Sequence, residues 1–225
     1  MIFKKKIKHI DASEFSLSKA IEFTLLDPRA TFQDIHTLIN VAVKHNYYGV
    51  CLSPCFVKEA RCYIDEKLKS DINVITTIGF PLGTATTQTK VDEAKQAIND
   101  GADELDVVIN IGKVKDSDFA YVKEELSRIV RISKGKIIKA IIETCYLNKE
   151  EIKNVCKVCE KAKVDFIKTS TGFGTGGATI EDITTIKEVV KHKLGIKASG
   201  GIKTRVQAEE LIRAGANRIG TSRIL

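Results

Sequence analysis

The sequence predicts an α/β protein folded as a closed, parallel, eight-stranded (β/α)8 TIM barrel, with residues 1–225 forming one domain. Three observations predict it. Strand-like stretches alternate with helix-like ones along the chain, eight of the first with seven helices between them. No composition break or linker interrupts the alternation. The 225 residues suit such a barrel, slightly short because the last helix is truncated. An open doubly wound sheet is the alternative that strict alternation also permits.

Residues 1–20 read as an N-terminal extension with a short helix around Ser13–Ile21. Glu22–Leu26 is a first short strand, closed by Asp27-Pro28. Ile35, Leu38, Ile39 and Ala42 recur at intervals of three and four, which predicts a helix over Thr31–Asn46. Tyr48–Ser53 is strand-like and Pro54 ends it; Phe56–Lys69 is again helical. Asn73–Gly79 is β-branched and runs into Phe80-Pro81-Leu82-Gly83. Thr86–Asp100 is a helix with Val91, Ala94 and Ile98 on one face, stopped by Gly101. The strand Glu104–Asn110, the helix Asp118–Ser133, the strand Lys136–Glu143 and the helix Lys149–Ala162 follow. A strand from Asp165 leads into the glycine-rich stretch ending at Gly177, then a helix Ile180–Lys191. The strand Gly195–Ser199, the helix Arg205–Ala214 and the strand Asn217–Thr221 complete the pattern.

Composition narrows the function classes. A hydrophobic content of 43% and a charged content of 29% are ordinary for a soluble globular chain. No run approaches a membrane span, and the basic start is not followed by an apolar signal region, so a cytoplasmic protein without membrane partners is expected. A net charge of +7 suits nucleic acid or a phosphorylated small molecule. Aromatic residues are only 6%, and the lysines are interspersed with acids as on solvated helix faces, which argues against nucleic acid. Of the six cysteines, Cys156 and Cys159 form a C-x-x-C. With Ile152 and Val155 they also trace an apolar helical stripe, so burial is favoured over zinc or redox use, and no metal site is expected.

Three strands carry a lysine between apolar neighbours: Lys139, Lys168 and Lys197, each 29 residues from the next. Equal steps of one βα unit would place them side by side on successive strands. Alternation puts Asp106, Val108 and Asn110 on one face of the fourth strand, toward the same cavity. A structural ion network with Asp106 and Glu143 is one reading. The chemical reading is favoured by three lysines in register with an acid. Adjacent ammonium groups and partial burial disfavour protonation, so one lysine can be a neutral nucleophile near pH 7. A neutral amine condenses with an aldehyde or ketone, and the iminium weakens a neighbouring bond.

Gly172-Phe-Gly-Thr-Gly-Gly177 matches G-x-G-x-x-G, but it follows the sixth strand rather than the first, and no acid ends the next strand. Gly172, Gly200, Gly201 and Gly220 instead lie after or at the ends of the last three strands, where barrels often hold phosphate.

The stretches Gly101–Gly112, Phe166–Phe173, Gly176–Thr179, Lys197–Ile202 and Arg218–Ser222 together resemble the deoxyribose-phosphate aldolase family; Ile78–Gly83 and Ile141–Thr144 agree. The resemblance covers about residues 22–222. It implies a class I aldolase without metal or other cofactor, cleaving 2-deoxy-D-ribose 5-phosphate reversibly to D-glyceraldehyde 3-phosphate and acetaldehyde. It implies Lys168 as the Schiff-base lysine, Asp106 as proton donor and acceptor, and Lys197 as perturbing Lys168 and joining the relay. It implies that Lys139 supports them, and that Cys51, Thr171, Gly172, Ser199, Gly200, Gly201, Gly220 and Ser222 contact substrate, several at its phosphate. The family also implies a dimer or tetramer. Glu22-Phe23 stands where the family usually has Asp-His, Ser53 where it has Asn, and Arg223 where it has a small hydroxyl residue. Two other readings are a barrel lyase or transferase acting on a different phosphorylated sugar, and a non-catalytic polyanion-binding module.

Overall fold

The computed structural model describes residues 16–225. Eight parallel strands close into a barrel in sequence order: β1 (Ile21–Leu25), β2 (Gly49–Leu52), β3 (Asn73–Ile78), β4 (Glu104–Val108), β5 (Ile137–Ile141), β6 (Phe166–Lys168), β7 (Gly195–Ser199) and β8 (Arg218–Thr221). Closure is made by β1 against β8, with Glu22 beside Gly220. The closed sheet rules out the open alternative.

Outside the barrel run α1 (Phe32–Lys44), α2 (Val57–Cys62), α3 (Thr87–Asn99), α4 (Ile111–Lys115), α5 (Phe119–Ile132), α6 (Lys149–Ala162), α7 (Ile180–Val190) and α8 (Arg205–Ala214). Side-chain caps explain several of the starts. Thr31, Asn148 and Thr204 each accept from the backbone three residues on, and Asp34, Glu151 and Gln207 bond back to close capping boxes.

One strand end and two helices differ from expectation. Asn110, predicted as the last residue of a strand, instead caps the unforeseen α4 by accepting from Lys113 N–H at 3.1 Å. The helix predicted over Phe56–Lys69 is three kinds of turn: 3-10 over Pro54–Phe56, then α2, then a π turn over Tyr63–Leu68. Apolar positions three and four apart, such as Val57, Ala60 and Ile64, suit all three and do not distinguish them. Of the helix predicted at Ser13–Ile21, residues 13–15 lie outside the described residues; the rest is one 3-10 turn, Leu17–Ala20, leading directly into β1. No helix follows β8 in the described residues, as expected.

The main apolar core lies between barrel and helices. Leu52, Leu105, Ile138, Ile167 and Ile196 point outward and meet Ile39, Leu126, Ile129, Val155 and Cys159, all fully buried. Each such side chain contributes roughly 1.5–3 kcal/mol by leaving water. Cys156 and Cys159 are free, buried members of this core. Register at the opposite rim is pinned by short polar side chains preceding alternate strands. Asp103, Asp165 and Asn217 accept the backbone N–H of Val74, Ile138 and Ile196, each at 2.9 Å. With outward positions assigned to the core, strand alternation turns the charged residues of β1, β4, β5, β6 and β7 into the barrel.

Candidate active site

Asp106 lies in the barrel interior with three lysines around it. Its Oδ1 accepts from Lys139 Nζ at 2.8 Å, and its Oδ2 accepts from Lys168 Nζ at 2.8 Å and Lys197 Nζ at 2.6 Å. All four residues are buried, Lys168 at the end of β6 being the one that retains a sliver of exposure, 2%. The equal 29-residue spacing does not translate into equal height. Lys168 and Lys197 are direct partners across β6 and β7, but Lys139 pairs with Phe166 and Asp106, two residues deeper. Strands in a closed barrel are staggered, so equal steps in sequence climb the wall.

Sequence reasoning anticipated an excess of positive charge here, with one acid. The structure corrects that. Glu22 of β1 and Glu104 of β4 also point inward, both buried. Lys197 donates to Glu22 Oε2, and Lys139 is paired with Glu104 and, at 3.4 Å, with Glu22. Three carboxylates thus face three ammonium groups. Glu104 was legible, because alternation sets it two residues before Asp106. Glu22 was visible only as a departure at a motif position; its reach to Lys197 depends on β1 closing against β8. Glu143, considered as a partner of the lysines, touches none of them and binds Thr171 instead.

The electrostatics follow from these contacts. Burial alone pushes the Asp106 carboxyl up, but the three ammonium groups outweigh it and hold the group well below its ordinary range. Glu22 is lowered in the same way, burial being outweighed by Lys139 and Lys197. Burial disfavours the Lys139 and Lys197 ammonium groups, yet the surrounding carboxylates raise both above the ordinary lysine value. At the lower edge, Tyr48 donates to Glu104; burial, then that carboxylate, pushes its phenol up to about 12.

Above Lys168 opens a cavity of about 460 Å³ at the C-terminal mouth of the barrel. Its walls include Thr171, Gly172, Ser199, Gly200, Gly201, Gly220 and Ser222, so these seven expected binding residues meet on one cavity. Gly172, Gly200 and Gly201 all have left-handed φ angles, of 86°, 86° and 77°. Space is tight at Gly220: a Cβ there would lie 3.0 Å from both Lys197 Cε and Ser199 Cβ. Thr171 and Ser199 have already committed their donors, Thr171 to Glu143 and the Ser199 hydroxyl to Ser170 carbonyl at 2.6 Å. Cys51 and Lys139 do not reach the cavity wall. Both are fully buried beneath it, and burial pushes the Cys51 thiol up. Lys203 and Arg223 supply cationic side chains at the rim. Lys203 was missed, although it directly follows the Lys197–Ile202 motif.

A buried lysine at the floor of a cavity, a carboxylate within proton-transfer distance, and a glycine-lined wall with cations at its rim are the groups that imine chemistry on a phosphorylated carbonyl compound would need. Among the described residues no group of His, Cys, Asp and Glu side chains converges to hold a metal ion, and no helix is long and apolar enough to cross a membrane.

Comparison with known proteins finds aldolases over most of the chain. The family model described as DeoC/LacD family aldolase matches residues 10–221. Deoxyribose-phosphate aldolase of Thermococcus gammatolerans is 51% identical over 208 residues, 92% of either chain. That of Clostridium botulinum strain Kyoto is 50% identical over 207 residues, covering 92% of this chain and 96% of the relative. Among solved structures, an aldolase described as QR15 superposes with a TM-score of 0.87 at 41% identity, over 92% of this chain and 91% of its own. The tetrameric deoxyribose phosphate aldolase of Aeropyrum pernix gives 0.85 at 32% identity, over 92% and 86%.

Proposed function

The chain belongs to the DeoC/LacD aldolase family, and from that premise we propose that it is a deoxyribose-phosphate aldolase whose reaction is carried by Lys168, Asp106 and Lys197. The reaction is the reversible cleavage of 2-deoxy-D-ribose 5-phosphate to D-glyceraldehyde 3-phosphate and acetaldehyde, a step in breaking down deoxyribose phosphate. The observation that supports it best is Lys168 Nζ at the cavity floor, 2.8 Å from Asp106 Oδ2.

The Lys168 amine adds to the C1 aldehyde of the open-chain sugar, and loss of water from the carbinolamine leaves an iminium. Its electron demand lets the C2–C3 bond break as the C3 hydroxyl loses its proton. Glyceraldehyde phosphate departs and an enamine remains; a proton returns to C2, and water releases acetaldehyde. Protons must therefore leave and return within a short distance of Lys168. Asp106 lies there, and Lys197 is hydrogen-bonded to the same oxygen. In the resting cluster Asp106 is a weak base because three cations hold it ionised. Removing the charge on Lys168 takes away one of them, so its affinity for a proton rises when the amine becomes the nucleophile.

The glycines of the cavity wall, with Lys203 and Arg223, face the end of the substrate that bears the phosphate. We also propose a homo-oligomer, a reading supported by the tetrameric Aeropyrum pernix relative. Borohydride added with acetaldehyde should fix a covalent adduct on Lys168 in the wild type and none there in Lys168→Leu, read by peptide mass. Labelling elsewhere with Lys168 untouched would overturn the assignment. Release of acetaldehyde from deoxyribose 5-phosphate tests the substrate.

A further inference from the structure

Glu143 is buried, unpaired with any lysine, and set in a conformation that side chains avoid. It follows β5 with φ 49° and ψ 67°, in the left-handed region that disfavours residues other than glycine. Nothing in its own motif requires that turn. Its carboxylate shows a use for it. Both oxygens lie 3.2 Å from the Thr171 backbone nitrogen, and Oε2 also accepts the Thr171 hydroxyl proton. That hydroxyl in turn accepts from Phe173 N–H at 3.0 Å.

The segment so held is the one that needs holding. Residues 172–177 contain four glycines, so side-chain sterics restrict this stretch little. The segment is pressed close from both sides. A Cβ on Gly174 would fall 3.2 Å from the Glu143 carboxyl carbon, and one on Gly177 would fall 2.2 Å from Gly200 carbonyl oxygen. Glu143 is anchored from behind, since Thr144 N–H donates to Thr169 carbonyl at 3.0 Å and its hydroxyl to Asp182 at 3.0 Å.

We infer that Glu143 is a positioning residue: by accepting both donors of Thr171 it fixes the 171–177 segment as the wall that receives the phosphate end of the substrate. The inference rests on the aldolase reading above. It accounts for why Thr171, on the cavity wall, has no donor left for a ligand: its part is to be held. A glutamine at 143 has one acceptor oxygen and an NH2 group, so one Thr171 donor would meet another donor.

The test compares kcat/KM for deoxyribose 5-phosphate with that for unphosphorylated 2-deoxyribose, and adds inhibition by inorganic phosphate. In Glu143→Gln the ratio of the two kcat/KM values should fall by ~10-fold or more, the scale of a lost buried hydrogen bond, with the loss in KM for the phosphorylated sugar. Phosphate should inhibit the variant correspondingly less. Thr171→Val removes the hydroxyl from the other side without touching the left-handed residue, and should shift the ratio the same way; it decides the matter if Glu143→Gln does not fold. An unchanged ratio, or equal loss on both sugars, overturns the role of Glu143. A wild type that cleaves neither sugar overturns the aldolase reading instead.

Discussion

Asp106 must serve two demands that pull apart. As the hub of the cluster it has to stay ionised to satisfy three ammonium groups; as the proton carrier of the proposed mechanism it has to accept a proton in passing. Its two oxygens divide the work, Oδ1 taking the Lys139 hydrogen bond and Oδ2 those of Lys168 and Lys197. Only Oδ2 touches Lys168, so in the proposed mechanism the proton traffic falls on that oxygen while Oδ1 keeps the carboxylate oriented. Asparagine keeps the shape but offers one acceptor, and presents N–H groups to ammonium ions that have no acceptor of their own. Asp106→Asn should therefore lower turnover of deoxyribose 5-phosphate by ~10²-fold or more, the contribution of one acid–base group. Borohydride trapping with acetaldehyde should still mark Lys168, which also reports that the variant is folded. Undiminished turnover would take Asp106 out of the mechanism.

Among the elements, the fastening of α3 and α5 to β4 is the one that a periodic pattern hides. Lys90 on α3 is fully buried, donating to Val108 carbonyl at 2.8 Å and to Glu125 Oε1 of α5 at 2.9 Å. Burial lowers the Lys90 ammonium and raises the Glu125 carboxyl, in both cases against the pull of the partner. In sequence Lys90 reads as the polar edge beside the Val91–Ala94 stripe, because a charged residue on an amphipathic helix is ordinarily solvated. What the pattern does show is where helices run: Lys149–Ala162 and Arg205–Ala214 have the predicted bounds, since caps and apolar spacing act within one segment. A buried ion pair between two helices is a long-range event with no local mark. Lys90→Met should destabilise the protein by roughly 3–5 kcal/mol, because it leaves a buried carboxylate unpaired and Val108 without its donor. Lys90→Met with Glu125→Leu should recover most of that in urea midpoint. A double variant as unstable as the single one would show that the ion pair is not the fastening.

For the whole molecule, barrel closure turns residues distant in sequence into one charge-balanced cluster, and this sets its response to pH. The lysine spacing, the acid on the fourth strand and the glycine ends of the last strands were legible because each lies inside a βα unit. The balance was not: Glu22 and Lys197 are 175 residues apart and meet only through the β1–β8 seam. Asp106 and Glu22 are lowered from ordinary values of 3.8 and 4.5, so they stabilise the fold above those values and that contribution is lost as pH falls below them. Lys139 and Lys197 are raised above 10.5, so their contribution is complete below that pH and is lost as pH climbs beyond it. Glu125, pushed up by burial, opposes the first trend just above pH 4.5 but belongs to the outer pair, not the cluster. Urea midpoints measured from pH 3 to 11 should fall below about pH 4.5 and above about pH 10.5 (the unfolded-state values of these groups). The acid limb should be shallower in Asp106→Asn and in Glu22→Gln, each of which removes one proton taken up on unfolding. Acid limbs parallel to wild type in both variants would mean that charges elsewhere, and not the balanced barrel interior, govern acid unfolding.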